Sequence, residues 1–375
     1  MTKNILLINS GEEKMKLLFD LFSELSQKEY CFYLLSSKKP LFEQFQEKKW
    51  SAKKINLGPT IKNKIYLFIF ILLLPWLYCK LLIILFNYKF NKKITTIILF
   101  DWSEKILATP LAKIIGLKII WIENPNCRYK QLKIKNFYKL LANFATLVVF
   151  NSDNKTQLKN FGFKEKNILL IHPAIKFNQY QENIFNNLAQ TNGKNFHNKY
   201  FTIGAIANFK QKQKIETLLQ AIKICLPVVP NLQLIIVGNS LERKSLSWLA
   251  KKMEIDSLVW FIDEQTQIKK WLDSFNVYVV TAELPELEDY YNILGAMASS
   301  LPIIGPLNVG LKEVVLENKT GSLIASGNSE MLASQIIKLH EDKKLCQQLG
   351  ADGRERVQQF FTLDKIVDKF MAILK

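Results

Sequence analysis

Residues 201–240 read FTIGAIANFKQKQKIETLLQAIKICLPVVPNLQLIIVGNS. An apolar strand at Phe201–Ala205 runs into a helix at Lys214–Leu226, and a second apolar strand follows at Gln233–Val237. Strand, helix and strand in this order predict a parallel sheet with helices packed on its faces. The alternation continues downstream. Strands are expected at Val259–Phe261, Val277–Val280 and Pro302–Ile304. Helices are expected at Leu241–Met253, Gln267–Phe275, Ile293–Ser299, Lys312–Glu317 and Glu330–Leu349. A last helix, about 364–374, is expected to cross back onto the first domain.

Upstream the same alternation appears independently. Strands are predicted at Asn4–Asn9, Cys31–Leu35, Lys53–Leu57, Thr96–Phe100, Lys118–Ile122, Thr146–Phe150 and Ile168–Ile171, with helices between them. The opening MTKNILLINSGEEK is too short in apolar residues for a signal-peptide core, so it reads as a buried first strand. Residues 176–199 are polar, rich in Asn and Gln, and without period. They read as a linker between a domain at 1–175 and another at 200–375. The fold class is α/β: two doubly wound Rossmann-like domains facing across a cleft. Ligands of such sheets bind at the C-terminal strand edges, where helix N-termini meet anions.

Composition narrows the function. The chain has 375 residues and a formal charge of +18. Residues 1–175 hold 28 bases against 12 acids, and the remainder holds 23 against 21. The first half therefore carries nearly all the excess, and no acid occurs from Lys48 to Phe100. That asymmetry points to an anionic surface, either nucleic acid or phospholipid. Within it, Ile65 to Phe86 reads IYLFIFILLLPWLYCKLLIILF, flanked by Lys62, Lys64, Lys89, Lys92 and Lys93. A dense aliphatic block suits a membrane interface, not a stacking surface for bases. Three readings of 62–93 stand: a transmembrane helix, a buried helix pair broken at Pro75, and a helical hairpin dipping into the headgroup region. An anionic membrane surface is the expected partner, and nucleic acid is not.

Five scattered cysteines (Cys31, Cys79, Cys127, Cys225, Cys346) and three histidines make no metal-ligand spacing. They suit a cytoplasmic protein. No D-x-D occurs either, which agrees with the metal-free, cofactor-free reading that the family resemblance given next implies.

From residue 201 on, five blocks occur in order: FTIGAIANFKQKQKIETLLQA, LQLIIVGNS, FNVYVVTAELPELEDYYNILGAMASSLPIIG, NVGLKEVVLENKTGSLIASGNSEMLASQI and LGADGRERVQQFFTLDKIV. Together they resemble the group 1 glycosyltransferases, retaining enzymes of the GT-B fold that use nucleotide-sugar donors. ATPLAKIIGLKIIWIENP and TLVVFNSDNKTQLKNFGFKEKNILLIHPAI resemble the family's N-domain more loosely. The resemblance implies a donor site on the second domain. Its Gly204 loop and Asn208 would approach phosphate, and the family's basic residue falls on Lys210. The family's Lys-Gly pair falls on Gln213 and Lys214, which leaves Lys212 or Lys214 to supply the cation. The family's E-x(7)-E signature is altered, because Gly295 stands where the second glutamate belongs. Glu286, Glu288 and Asp289 lie near the first, and with one residue deleted Glu288 becomes the sugar-contacting acid. Asn292 and Gly238 would line the donor slot. Glu313 would touch the ligand or favour a helix start. In the first domain Glu123-Asn124 replace a family histidine, and Glu123 would serve as acid or base.

The expected activity is transfer of a hexose-like sugar, retaining and metal-independent, from a nucleotide-diphosphate sugar to a lipid-linked or surface-polysaccharide acceptor. It would take place at the inner face of the cell membrane. Because three signatures are altered, a catalytically degenerate GT-B scaffold subunit stands as the alternative.

Overall fold

The computed structural model describes residues 3–10, 16–37, 39–57, 64–124, 135–180, 200–207, 212–238, 242–263 and 267–374. The chain divides into two compact units, Met1–His172 with Ile366–Lys375, and Pro173–Lys365. Most of the 176–199 stretch read as a linker lies outside the described residues. Its first residues form a short 3-10 turn, Phe177–Tyr180, with both end residues buried.

In the first unit, seven strands run parallel: β1 (Lys3–Asn9), β2 (Tyr30–Ser36), β3 (Ser51–Lys54), β4 (Ile94–Leu99), β5 (Lys118–Ile122), β6 (Thr146–Val149) and β7 (Ile168–Leu170). Their order is β3-β2-β1-β4-β5-β6-β7, so the chain reverses its winding between β1 and β4. Helices α1 (Lys16–Gln27) and α2 (Lys39–Glu47) connect the strands on one side of that point. Beyond it come α3 (Lys64–Asn91), α4 (Trp102–Ile114), α5 (Lys135–Ala142) and α6 (Ser152–Asn160). Right-handed crossovers put α3–α6 together on one face. One core confirms this, with Leu81, Leu107, Leu141 and Leu158 packed over Ile97, Trp121 and Leu147.

The apolar block forms one helix, not a pair or a hairpin. α3 continues through Pro75. A proline there costs a hydrogen bond, but packing after it holds the axis. Leu77, Leu81, Leu85 and Tyr88 recur at helical spacing and are buried in the core. By length and composition Leu72–Asn91 could cross a bilayer. Its core-facing stripe would have to leave the unit to do so.

The second unit holds six parallel strands: β8 (Phe201–Ile206), β9 (Leu232–Val237), β10 (Val259–Ile262), β11 (Val277–Val279), β12 (Ile303–Pro306) and β13 (Gly321–Ile324). The order β10-β9-β8-β11-β12-β13 places the reversal between β8 and β11. The helices are α7 (Lys212–Cys225), α8 (Arg243–Lys252), α9 (Ile268–Leu272), α10 (Leu287–Ala298), α11 (Val309–Val314), α12 (Ser329–Glu341) and α13 (Lys343–Phe360). The single helix expected over 330–349 is two. Asp342 (φ −100°, ψ 81°) leaves the helical region, and its carboxylate accepts from Leu345 N to start α13. A final helix, α14 (Leu363–Leu374), carries the chain back to the first unit. There Phe370 meets the edge of Phe22 and Lys3 donates to the Leu374 carbonyl at 3.2 Å.

Candidate functional site

Open α/β sheets meet ligands at the C-terminal strand edges, at the point where the winding reverses. In the second unit that point lies between β8 and β11. Residues 208–211, which include Asn208 and Lys210, lie outside the described residues. α7 opens directly after them.

The two remaining lysines go different ways. Lys212 pairs with Glu216 on its own helix at 3.6 Å. Lys214 reaches across the sheet edge: its Nζ is 2.8 Å from Glu283 Oε2 and 2.8 Å from Ser326 Oγ. It thereby ties together the segments that follow β8, β11 and β13. The Glu283 carbonyl in turn accepts from Asn308 Nδ2 at 3.0 Å. Lys214 also lines a cavity with Thr281, Gly305 and Asn328. A partly exposed ion pair is worth only about 0–1 kcal/mol, so an arriving phosphate could take the ammonium from Glu283 at little cost.

Beside it, α10 starts with a reciprocal cap. Glu286 (φ −88°, ψ 177°) accepts from the Asp289 backbone N–H, and Asp289 Oδ2 accepts from Glu286 N at 2.8 Å. Both acids are therefore engaged in starting the helix. Burial pushes Asp289 up to about 6; the Glu286 N–H opposes this, and the Glu286 carboxylate adds to it. Glu288 is half-buried in the same first turn. Asn292 follows one turn later on the same face and is 4% exposed. Its Oδ1 has no hydrogen-bond donor among the described residues.

Two expected donor-site residues are placed differently, and a third has its N–H committed within the sheet. Gly204 does not lie in a loop. It sits inside β8, paired with Ile235 and Tyr278. A Cβ there would lie 1.9 Å from the Phe275 ring, so the glycine makes room for a core aromatic. Gly238 does close β9 at the sheet edge, but its N–H is committed to the Ile262 carbonyl at 2.9 Å. Glu313 does not open a helix. α11 is capped by Asn308, which accepts from Leu311 N at 2.7 Å, and Glu313 comes near its end.

Gly295 has a clear structural cause. A Cβ at this position would lie 2.8 Å from the Tyr180 hydroxyl and 3.3 Å from Leu272 Cδ1. Tyr180 therefore occupies the space that a side chain at 295 would enter. No local pattern signals it, because 180 and 295 are distant along the chain. We expect Gly295→Ala to destabilise the second unit by about 1–3 kcal/mol through overpacking. Tyr180→Phe in the same background should recover part of that loss. Denaturant titration of the single and double variants reads the coupling.

In the first unit Glu123 is 1% exposed and ion-paired to Lys105 at 2.9 Å. Tyr138 Oη donates to the same carboxylate oxygen at 3.4 Å, and Lys105 also donates to the Ile122 carbonyl at 2.7 Å. Its carboxylate thus faces a buried ammonium.

The residue at this unit's winding reversal is instead Glu104, which sequence reasoning did not single out. Its Oε1 accepts from Ser10 N, just after β1, and its Oε2 accepts from Phe100 and Asp101 N, both at 3.2 Å, just after β4. Burial, then the Asp101 carboxylate, push Glu104 up to about 8 against these hydrogen bonds. The unfolded chain releases this proton near 4.5 and the folded chain near 8. The Glu104 contribution to stability therefore falls as pH rises across that window, and levels above it. Thermal midpoints of wild type and Glu104→Gln, followed from pH 4.5 to 9, should show a flatter profile for the variant. Parallel profiles would refute the assignment.

Among the described residues no three His, Cys, Asp or Glu side chains gather as metal ligands. Both sheets are doubly wound, each with its reversal point, and the second carries a cationic edge. The family described as Glycosyl transferases group 1 matches residues 187–356. Anabaena HepE, solved in complex with UDP, superposes on the chain with a TM-score of 0.79 at 16% identity, covering 99% of both chains. The chain has this GT-B fold.

Among curated relatives of the group 1 domain, N-acetyl-alpha-D-glucosaminyl L-malate synthase of Bacillus anthracis is 29% identical over 169 residues, 45% of this chain and 43% of that protein. The capsular polysaccharide biosynthesis glycosyltransferase CapM of Staphylococcus aureus is 23% identical over 222 residues, 58% of this chain and 54% of that protein. The matches span about half the length of these curated relatives.

Proposed function

We propose that this chain is a glycosyltransferase that moves a hexose-like sugar from a nucleotide-diphosphate donor to a hydroxyl on a lipid-linked or surface-polysaccharide acceptor. The observation that carries the reading is the Lys214 ammonium, held at the β8/β11 edge beside the start of α10. Glycosyl transfer leaves a nucleoside diphosphate, so charge builds on phosphate oxygens as the bond to the sugar breaks. A fixed cation and a helix N-terminus there stabilise that charge. Lys210 and Lys212 would add to the cationic field.

Glu288 and Asn292, one turn apart on α10, would take the sugar hydroxyls. The buried Asn292 Oδ1 supports this, since a hydroxyl would give it the donor it lacks. Glu286 and Asp289 would act by fixing the start of α10. In this reading the donor cation replaces a metal ion, and the anomeric configuration is retained as in the family resembled. HepE, which binds UDP, makes a UDP-sugar the first donor to test. CapM, named for capsular polysaccharide synthesis, supports a polymeric or lipid-linked acceptor. The basic first half and α3 support a cytoplasmic site of action at an anionic membrane.

The test is a screen of UDP-, GDP- and ADP-sugars for binding and hydrolysis, with and without EDTA. Donor turnover that survives EDTA is the expected result. A folded protein that binds none of them would overturn the reading.

A further inference from the structure

We propose that a cavity on the first unit, between α5 and the turn leading into β7, binds the phosphate of an anionic phospholipid headgroup. The proposal rests on the membrane-surface reading above and names the lipid group which that surface would take.

The cavity measures about 250 Å³ and is lined by Lys139, Lys164, Asn143 and Asn167, with Leu140 and Phe163 as apolar wall. Its floor is open because Gly162 has no side chain. At φ +83° that position favours glycine, and a Cβ there would lie 2.8 Å from Lys139 Nζ. The nearby carboxylate, Glu165, is already engaged by Lys155 at 3.5 Å and Lys159 at 2.9 Å. Among the described residues Lys139 and Lys164 have no acid within ion-pair distance. Two ammonium groups and two carboxamides around a small cavity match the charge and acceptor oxygens of a phosphate ester.

The surroundings select a lipid source. Beside the cavity, Leu140, Phe144 and Ile114 are exposed, and Lys113 lies over the Phe144 ring at 5.5 Å. α3 and α5 both pack against α4, so α3 belongs to the same helical layer. Its outer stripe is Leu72, Trp76, Ile83, Phe86 and Phe90, of which Leu72, Ile83 and Phe90 are 71%, 70% and 69% exposed. Lys80 sits over Trp76 at 4.8 Å, and Phe86 stacks on Phe90 at 5.8 Å. Lysines in the last turns of α3, α4 and α5 suit the helix dipoles. The dipoles do not account for exposed aromatics next to them.

The α3 stripe has the seam spacing of a coiled coil, so a second copy is the obvious rival occupant. Residues 48–100 contain no acid, however, so paired α3 helices would set Lys80 and Lys89 against lysines alone. An anionic bilayer supplies both the apolar phase and the counter-charge.

The probes are phosphatidylcholine vesicles with and without one-quarter phosphatidylglycerol, water-soluble dihexanoyl phosphatidylglycerol, and inorganic phosphate. Wild type should sediment with the anionic vesicles and bind the soluble lipid. Lys139→Gln/Lys164→Gln should weaken vesicle binding roughly 30-fold, taking each lysine near a surface at its usual contribution, and should lose the soluble lipid. Ile83→Ser/Phe90→Ser should weaken vesicle binding while keeping the soluble lipid. If the lysine variant binds soluble lipid like wild type, the site is wrong even if vesicles still bind. If inorganic phosphate binds as tightly as the lipid, the lipid assignment falls. If wild type ignores anionic vesicles yet binds soluble lipid through these lysines, the headgroup site stands and the membrane reading falls.

Discussion

Lys214→Ala should lower kcat/KM for the donor by roughly 100- to 1000-fold, the loss typical of one group that stabilises charge in the transition state. The residue is singled out by where its ammonium sits. Lys212 is two positions earlier and carries the same charge, but it is turned to Glu216 along its own helix. Lys212→Ala should therefore cost several-fold at most. Glu283→Gln supplies a third point. It removes the carboxylate 2.8 Å from Lys214 while leaving the Ser326 contact. Donor affinity should stay level or rise modestly in this variant, since the phosphate no longer competes with Glu283. Donor kinetics on the three variants check the order. Equal losses for Lys212→Ala and Lys214→Ala would mean that diffuse charge, not a placed cation, serves the donor.

Lys105→Met should destabilise the first unit by about 3–5 kcal/mol, because it strips the buried Glu123 carboxylate of its ammonium partner. Both partners are buried, at 2.9 Å, and the ammonium also satisfies the Ile122 carbonyl. Replacing both, as Lys105→Met/Glu123→Leu, should recover much of the loss, since a buried ion pair is often no better than a packed apolar one. Urea denaturation of the two variants measures this. Near-equal stability of wild type and Lys105→Met would show that the pair is solvated.

The strands were the legible part of this fold. Short apolar runs between helical stretches located all but one of them to within a few residues, because a parallel strand buried on both faces needs a continuous apolar run; β13 (Gly321–Ile324), which begins Gly-Ser, has too short a run and went unread. The ends and breaks of helices were harder to read. Asp342 divides 330–349 by a local hydrogen bond that hydrophobic period does not report. Pro75 suggested a break, but a buried stripe of leucines carries α3 past it.

The candidate site was legible in residue types and much less so in roles. A lysine before a helix is visible in sequence, whereas the distinction between Lys212 and Lys214 is one of direction. Glu286 and Asp289 looked like ligands, and they meet each other at the start of α10. Gly295 looked like a missing carboxylate, and the packing of Tyr180 explains it. Glu104 drew no notice, because its three backbone donors come from two strand ends far apart in sequence.

The return of α14 has a consequence for biosynthesis. Phe370 is buried against Phe22, and Asp368 lies 3.7 Å from Lys28, so part of the α1 layer is covered by residues made about 340 positions later. While the ribosome is still translating the second unit, the α1 side of the nascent first unit stays uncovered. Its apolar surface is then open to chaperones until α14 emerges, and co-translational folding of this unit waits for that helix.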